Sequence, residues 1–123
     1  MYTMYLELTE LIILVKNIFS EIFAEISKAI AFGGVGCVFR YNKMENGPHN
    51  AMLGSGNNHL FEYNYVNNFC FETSDAGAFY VGRSWACLGN ILRYNEFYNV
   101  RSLDQTYSGA TISAIYLDDQ MSG

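Results

Sequence analysis

The sequence predicts an all-β repeat fold, a right-handed parallel β-helix (a solenoid) of about four coils. The first observation behind this prediction is a motif in which two apolar residues, a charged residue, Tyr and Asn follow one another. The motif occurs three times, as CVFRYNKMEN (37–46), HLFEYNYVNN (59–68) and NILRYNEFYN (90–99). Recurrence at intervals of roughly 20–50 residues is the signature of a repeat architecture.

Two further observations favour the same fold. A second block recurs between the motifs, as AIAF (29–32), AMLG (51–54), AFYVGR (78–83) and AIYLDD (114–119). The motif asparagines Asn42, Asn64 and Asn95 are separated by 22 and 31 residues, and Asn17 precedes Asn42 by 25. Such steps suit coils of two or three short strands, with insertions confined to the turns. The longest step carries its extra residues in ETSDAG and RSWACLGN, which are rich in turn formers.

The N-terminal segment, residues 1–32, has two interpretations. Its apolar residues recur every three or four positions, which is typical of an amphipathic helix that Gly33-Gly34 would end; they are Leu11, Val15, Ile18, Ile22, Ile26 and Ala29. The alternative is a degenerate first coil, because alignment on Asn17 places Leu14 beside Phe39. Residues 27–42 also align without a gap to residues 49–64, and this favours the coil. The repeats proper then cover residues 33–123.

Period-two alternation assigns the faces of each motif strand. Phe39, Phe61 and Leu92 are predicted to point inward. The residues after them, Arg40, Glu62 and Arg93, are therefore predicted to face solvent as a ladder of alternating charge that marks the register. The motif asparagines are expected to stack at a corner, where an Asn side chain can bond the amide of the next coil and tolerate a left-handed backbone.

Composition narrows the classes of partner. A formal net charge of −5, with only seven scattered Lys and Arg, argues against nucleic acid, because phosphate binding needs clustered cations. The cysteines Cys37, Cys70 and Cys87 lack CxxC spacing, so we interpret them as small buried apolar residues and not as zinc ligands. No signal-peptide pattern is visible, and the apolar run LIILV is too short to span a bilayer. No cofactor is predicted.

The repeated blocks resemble those of right-handed parallel β-helix proteins. The resemblance is carried by GVGCVFRYNKMENGPHNAMLGSGNNHLFEYN (34–64), ETSDAGAFYVGR (72–83), GNILRYNEFYNV (89–100) and AIYLDD (114–119). It is closest to large secreted proteins associated with polysaccharide breakdown, which include glycoside hydrolases and polysaccharide lyases. The resemblance implies an extracellular protein with a polysaccharide or oligosaccharide partner. It does not fix the activity, because one such scaffold hosts several chemistries.

The resemblance also bears on the extent of the chain. Relatives of this kind are usually several times longer, so we expect this chain to be a fragment of a longer solenoid. An uncapped coil exposes strand edges and apolar interior, which makes end-to-end self-association a candidate property. A non-catalytic structural or interaction module, or an inactive truncated remnant, is the alternative to a carbohydrate-active protein.

The second block holds the candidate site. If Phe79 and Ile115 point inward, Tyr80 and Tyr116 point outward one above the other, following Leu53 and Ala31 on earlier coils. Two stacked tyrosines would form a flat surface for a sugar ring. The candidate saccharide-binding residues are Tyr80, Arg83 and Tyr116, and the candidate catalytic residues are Asp75, Asp118 and Asp119. The alternative interpretation is a structural tyrosine ladder with an Arg–Asp bridge at the turn.

The three aspartates differ in their fitness for catalysis. Glycoside hydrolysis needs two carboxyl groups about 5–10 Å apart. The aligned offset between Asp75 and Asp118 is seven positions, on the order of 20 Å along a straight strand, so a direct pair requires a bend. Adjacent Asp118 and Asp119 are expected to point to opposite faces. Calcium binding by Glu72, Asp75 and Asp118 is a weaker candidate, since hard cations prefer carboxylate oxygens.

Overall fold

The structure is a computed structural model, and it describes residues 3–7, 10–14, 28–103 and 111–121. For the first two ranges and for Lys28, only the backbone is described. The described residues form strands and turns and contain no helix. This confirms the all-β class for that part of the chain.

Twelve strands are present in the described ranges. They are β1 (Thr3–Glu7), β2 (Glu10–Leu14), β3 (Lys28–Phe32), β4 (Val38–Arg40), β5 (Lys43–Gly47), β6 (Asn50–Gly54), β7 (Leu60–Glu62), β8 (Tyr65–Phe69), β9 (Ala76–Val81), β10 (Ile91–Arg93), β11 (Glu96–Val100) and β12 (Ile112–Leu117). The motif supplies the three-residue strands β4, β7 and β10 and the strands that follow them. The second block supplies β3, β6, β9 and β12.

The strands form three sheets. The first sheet has the order β1-β2-β4-β7-β10, the second β5-β8-β11 and the third β3-β6-β9-β12. From β4 onward the chain visits the first, second and third sheets in turn, and it does so three times. We call each such set of three strands a coil: β4–β6 is coil 1, β7–β9 coil 2 and β10–β12 coil 3. The pairs between coils are parallel, which is consistent with a β-helix or solenoid.

The N-terminal segment departs from both interpretations of the sequence. The helix is wrong at its two ends, because Glu10–Leu14 and Lys28–Phe32 are strands; residues 15–27 lie outside the described residues. The alignment of the second block is confirmed, since β3 pairs with β6 in the predicted register. The motif alignment is off by one residue: Ile12 pairs with Val38, so Ile13 and not Leu14 comes beside Phe39. Strand β1 pairs antiparallel with β2, which the sequence did not predict.

The asparagine ladder is confirmed and lies inside the corner between the first and second sheets. Asn64 Oδ1 accepts hydrogen bonds from the backbone N of Asn42 at 3.1 Å and from its Nδ2 at 2.9 Å. The backbone N of Asn64 donates to Asn95 Oδ1 at 3.0 Å. The left-handed backbone falls one residue earlier than predicted, at Tyr41, Tyr63 and Tyr94, with φ of 57°, 53° and 56°.

The core lies between the three sheets and is built around stacked aromatic rings. Phe39 and Phe61 are parallel, with ring centroids 4.9 Å apart, and Phe32 and Phe79 meet Phe61 edge-on at 4.8 and 4.9 Å. Buried His59 packs against these rings; its Nδ1 accepts a hydrogen bond from the Cys37 backbone at 3.1 Å. The inward direction of Phe39 and Phe61 is therefore confirmed.

The charge ladder has the predicted register but not the predicted exposure. Arg40, Glu62 and Arg93 occupy equivalent positions on β4, β7 and β10. The Glu62 side chain is only 8% exposed, because the two arginines cover it, with N–O distances of 3.9 Å to Arg40 and 2.8 Å to Arg93. The prediction that Glu62 faces solvent is wrong, since alternation gives the direction of a side chain and not how deeply its neighbours cover it.

Coil 2 is longer than coil 1, and the added length lies mainly in two turns, as predicted. Residues 70–75 connect β8 to β9, where residues 48–49 connect β5 to β6. Residues 82–90 connect β9 to β10, where residues 55–59 connect β6 to β7. Both longer turns flank β9, which carries Tyr80. Most of the predicted site therefore lies on β9 or beside the two turns whose lengths differ between coil 1 and coil 2.

Candidate functional site

Tyr80 and Tyr116 are neighbours on the outer face of the third sheet. The register runs from Ala31 through Leu53 and Tyr80 to Tyr116, as the alignment of the second block predicted. Both tyrosine side chains are partly exposed. Phe79, the residue before Tyr80, is buried, whereas Ile115, the residue before Tyr116, lies on the last coil and is 46% exposed. The expected juxtaposition of the two tyrosines is therefore observed.

The two tyrosine rings do not form a flat surface. Their centroids are 5.5 Å apart and the ring planes are perpendicular. This arrangement is a favourable aromatic geometry, in which the edge of one ring meets the face of the other. The predicted platform spanning both rings is thus wrong. The cause is that each phenol turns toward a different carboxylate.

Tyr80 donates a hydrogen bond to Asp118 Oδ2. Arg83 Nε lies 3.7 Å from the same oxygen. The hydrogen bond from Tyr80, with smaller help from Arg83, holds the pKa of Asp118 below its ordinary value. The same hydrogen bond, together with desolvation, raises the pKa of Tyr80 to about 12. At neutral pH the pair therefore consists of a protonated phenol and an ionised carboxylate.

Tyr116 donates a hydrogen bond to Asp75 Oδ1 at 2.8 Å. This bond is the main cause that raises the pKa of Tyr116 above its ordinary value, followed by desolvation and the nearby aspartates. Asp75 ends the turn before β9 and has a left-handed backbone, with φ of 52°. The two tyrosines therefore link Asp75 to Asp118, which are not adjacent in the strand register.

A bend in β9 allows Tyr116 to reach Asp75. A Cβ atom at Gly77 would lie 2.6 Å from Tyr116 Cβ and 2.9 Å from the Phe79 backbone O, so no larger residue fits there. The strand folds tightly around Gly77, and the straight-strand separation of about 20 Å does not apply. Gly82 has a similar role, because a Cβ there would lie 2.5 Å from Asp118 Cβ. The two glycines make room for Tyr116 and Asp118.

Arg83 and Asp119 are joined through the backbone. The Arg83 N–H donates to the Asp119 backbone O, so Asp119 lies over Arg83 as the alignment predicted. The ion pair of Arg83 goes to Asp118 instead of Asp119. The Asp119 residue is exposed. The structure thus brings together Asp75, Tyr80, Arg83, Tyr116, Asp118 and Asp119, the six residues predicted from the sequence.

A cavity of about 580 Å³ adjoins this cluster at the end of the third sheet. Its lining is mainly apolar and includes four polar side chains, Asn90, Asp118, Asp119 and Gln120; the other lining residues are Phe79, Val81, Cys87, Gly89, Leu92, Ile115, Leu117 and Met121. Asp118 and Asp119 are shared between the cavity and the tyrosine cluster. The cavity is lined by residues of both coil 2, such as Phe79 and Val81, and coil 3, such as Ile115 and Leu117.

A second row of tyrosines was missed in the sequence, although it belongs to the motif. Tyr41, Tyr63 and Tyr94 stack almost in parallel on the outside of the corner, with centroids 5.2 and 5.1 Å apart. All three are exposed. The signal was the same outward position in three copies, one residue before the ladder asparagine. Because the rings stack face to face, the row presents mainly ring edges to solvent.

The remaining predictions concern metals, cysteines and membranes. Within the part of the chain that the structure describes, no three His, Cys, Asp or Glu side chains are grouped as a metal ion would require. Glu72, Asp75 and Asp118, the residues of the calcium candidate, are all described and are therefore not grouped in this way. Cys70 and Cys87 are buried, whereas Cys37 is only partly buried. In the described ranges, no helix has the length and apolarity needed to cross a membrane.

Comparison with known proteins gives no family assignment. No protein-family model matches the chain, and no curated protein or solved structure matches it significantly. The tyrosine–aspartate cluster must therefore be interpreted from its own chemistry.

Proposed function

We propose that this chain is part of a right-handed parallel β-helix in a secreted, carbohydrate-active protein. In this proposal the saccharide contacts the outer face of the third sheet at Tyr80 and Tyr116. The regular order of the sheets and the parallel pairing between coils support the β-helix. The polysaccharide partner and the extracellular location rest on the resemblance to polysaccharide-degrading β-helix proteins.

The observation that carries the proposal is the pair of phenol–carboxylate hydrogen bonds, Tyr80 to Asp118 and Tyr116 to Asp75. Aromatic rings provide apolar contact for the C–H groups of a sugar, and carboxylates accept hydrogen bonds from its hydroxyls. Binding sites typically combine apolar or aromatic surface with a few fixed polar groups of this kind. The cluster has both, on an exposed face.

The ring geometry limits the contact. Because the rings of Tyr80 and Tyr116 are perpendicular, the edge of one covers part of the face of the other. The pair therefore suits stacking against one sugar ring, with neighbouring sugars held by polar groups. Asp75 and Asp118 lie at the far ends of the two phenols, where they are suited to fix the orientation of the bound ring.

The protonation states set the roles that a hydrolytic reaction would require. Asp118 is held ionised, so it suits the base or nucleophile and not the acid. The high pKa of Tyr80 excludes it as a base near neutral pH. Binding without hydrolysis requires none of these steps, and it is the part of the proposal that the geometry supports best.

A non-catalytic interaction module is the second candidate function. The last coil exposes apolar residues that equivalent positions bury, including Ile115 at 46% and Leu117 at 59%. Its strands β10, β11 and β12 each lie at the end of a sheet. Such an edge can pair with another chain or with further coils. In that role the tyrosine cluster would serve only to hold the register.

A binding titration separates the two functions. We expect a panel of oligosaccharides to include a ligand whose affinity falls at least about tenfold in Tyr116→Ala, because stacking and a positioned carboxylate are lost together. The matched control is Tyr98→Ala, which removes an exposed tyrosine from the second sheet. Equal affinity of both variants and the unmodified protein would refute the proposed site. Concentration-dependent self-association without saccharide binding would favour the interaction module.

A further inference from the structure

The charges around the two phenols are mostly negative. The charged groups that act on Tyr80 and Tyr116 are the carboxylates of Asp75, Asp118 and Asp119 and the guanidinium of Arg83. The guanidinium is already 3.7 Å from Asp118 Oδ2. Among the described groups, a ligand approaching the rings therefore meets more negative than positive charge, and the guanidinium of Arg83 is partly neutralised by Asp118.

The hydrogen-bonding capacity of the cluster is equally one-sided. Both phenolic protons are directed at carboxylates, since Tyr116 donates to Asp75 and Tyr80 donates to Asp118. The phenols therefore have only acceptor capacity left for a ligand. Each ionised carboxylate has acceptor sites beyond the one that its phenol occupies, and it has no proton to donate. The cluster offers acceptors and needs a ligand that supplies donors.

We propose that this cluster selects saccharides without acidic groups and rejects those that carry uronate or sulfate. Hydroxyl groups of a neutral sugar, or ammonium groups of an amino sugar, supply the donors that the acceptors require. A carboxylate or sulfate would instead stand beside Asp75, Asp118 and Asp119 with like charge. Specificity of this kind comes from a repulsive element as much as from contacts with the preferred ligand. The inference rests on the proposed function, because it assumes that a saccharide binds at Tyr80 and Tyr116.

The test compares three classes of oligosaccharide of equal length: neutral gluco- and manno-oligosaccharides, chitosan oligomers and oligogalacturonates. Affinities are measured by calorimetry with the whole chain, at low and high salt. We expect oligogalacturonates to bind at least about tenfold more weakly than the best neutral or amino oligosaccharide. The difference should shrink at high salt, because salt screens exposed charges. Chitosan affinity should fall with salt, whereas neutral affinity should change little.

A charge variant tests the cause of the selectivity. Asp119→Asn removes one exposed carboxylate that acts on Tyr116, and its backbone contact to Arg83 does not need the side chain. We expect the discrimination against oligogalacturonate to fall several-fold in this variant. Glu45→Gln is the matched control, because Glu45 lies on the second sheet and pairs with Lys43. The control should keep the full discrimination.

The outcomes distinguish a failure of the proposed selectivity from a failure of the proposed saccharide-binding function. If oligogalacturonate binds as tightly as neutral sugars and Tyr116→Ala abolishes that binding, the site is correct and the selectivity is overturned. If no oligosaccharide binds, or binding is indifferent to Tyr116→Ala, the proposed function fails and the inference falls with it. Equal loss of discrimination in Asp119→Asn and Glu45→Gln would show that overall charge, and not this cluster, sets the preference.

Discussion

Asn42 gives both of its amide donors, backbone N and side-chain Nδ2, to the one oxygen Oδ1 of Asn64, at 3.1 and 2.9 Å. Asn64 Nδ2 in turn donates to the Phe39 backbone O and to Asn95 Oδ1, both at 2.9 Å. Asn64 is buried. One buried side chain of coil 2 therefore satisfies polar groups on both neighbouring coils, coil 1 and coil 3.

Asn64→Ala should be among the most damaging single substitutions in the chain. It removes the oxygen that accepts from Asn42 N and Nδ2 and the donor to the Phe39 backbone O, and each buried hydrogen bond lost in this way costs about 1–3 kcal/mol. We expect the free energy of unfolding in urea to fall by roughly 3 kcal/mol or more. Asn67→Ala is the control, because it removes only an exposed bond to Asn99; its cost should stay within about 1 kcal/mol. Similar losses in both variants would contradict the ladder.

Glu62→Lys should prevent stable stacking of the first sheet. The substitution places a third cation between Arg40 and Arg93, where a buried carboxylate now accepts a hydrogen bond from Arg93 and forms an ion pair with Arg40. Because Glu62 is buried but the two arginines are partly exposed, we expect a cost of roughly 2 kcal/mol, less than for a pair buried on both sides. Glu45→Lys reverses an acidic charge on the second sheet and should cost about 1 kcal/mol or less. Thermal unfolding followed by circular dichroism checks both values. Equal melting temperatures would show that the Arg–Glu–Arg ladder does not stabilise the fold.

The titration of Tyr80 should be visible at high pH. Its folded pKa of about 12 exceeds the ordinary value of about 10, so the stability it contributes is complete below about pH 10. That contribution is lost as the pH rises toward 12. The phenolate absorbance difference between the unmodified protein and Tyr80→Phe isolates this group. In Asp118→Asn the same transition should move to lower pH, because the carboxylate that favours the neutral phenol is gone. An unchanged midpoint in Asp118→Asn would contradict the hydrogen bond.

The exposed tyrosine row should respond to backbone preference. Tyr63 stacks between Tyr41 and Tyr94 and has a φ of 53°. Tyr63→Ala loses the stacking and keeps the left-handed strain, at a cost of about 1–3 kcal/mol. Tyr63→Asn loses the same stacking but tolerates the backbone, so it should be less destabilised by about 0.5–1 kcal/mol. At Tyr65, a strand position, Asn should bring no advantage over Ala. Urea unfolding of the four variants tests this order.

The cysteines should differ in their rate of alkylation. Burial raises the pKa of the Cys70 thiol to about 12, so almost no reactive thiolate exists at pH 8. We expect iodoacetamide to modify the partly buried Cys37 first, and Cys70 and Cys87 only after unfolding. Mass spectrometry of digests at increasing urea concentration measures the order. Modification of native Cys70 at the rate of Cys37 would contradict the packing of this part of the core.

The register could be predicted wherever the motif supplies a marker. Asn42, Asn64 and Asn95 fix three coils, and the spacing to the second block then places Tyr80 beside Tyr116. The N-terminal strand lacks this marker within the described residues, and its alignment on Asn17 is one residue off. The antiparallel pairing of β1 with β2 could not be predicted either. The sequence between these strands, Leu8-Thr9, lacks the Asn-Gly pattern that is typical of tight hairpins.

Two properties could not be predicted from the sequence: how deeply a side chain is buried, and how an aromatic ring is oriented. Alternation places Glu62 outward, but the reach of Arg40 and Arg93 decides that it is buried. Register places Tyr116 over Tyr80, but their ring planes follow the hydrogen bonds to Asp75 and Asp118, which depend on the bend at Gly77. Both errors concern side-chain conformation and not strand order, and they changed the site from a flat platform to a hydrogen-bonded cluster.

Because the charges of Arg40, Glu62 and Arg93 alternate in sign, a chain of this kind keeps the alternation only if coils are added in pairs. Duplication of a single coil would set two like charges on neighbouring strands of the first sheet, whichever coil was copied. Duplication of two neighbouring coils would keep every carboxylate between guanidinium groups. Growth by pairs of coils is therefore favoured over growth by single coils, and a designed extension should add one Arg coil together with one Glu coil.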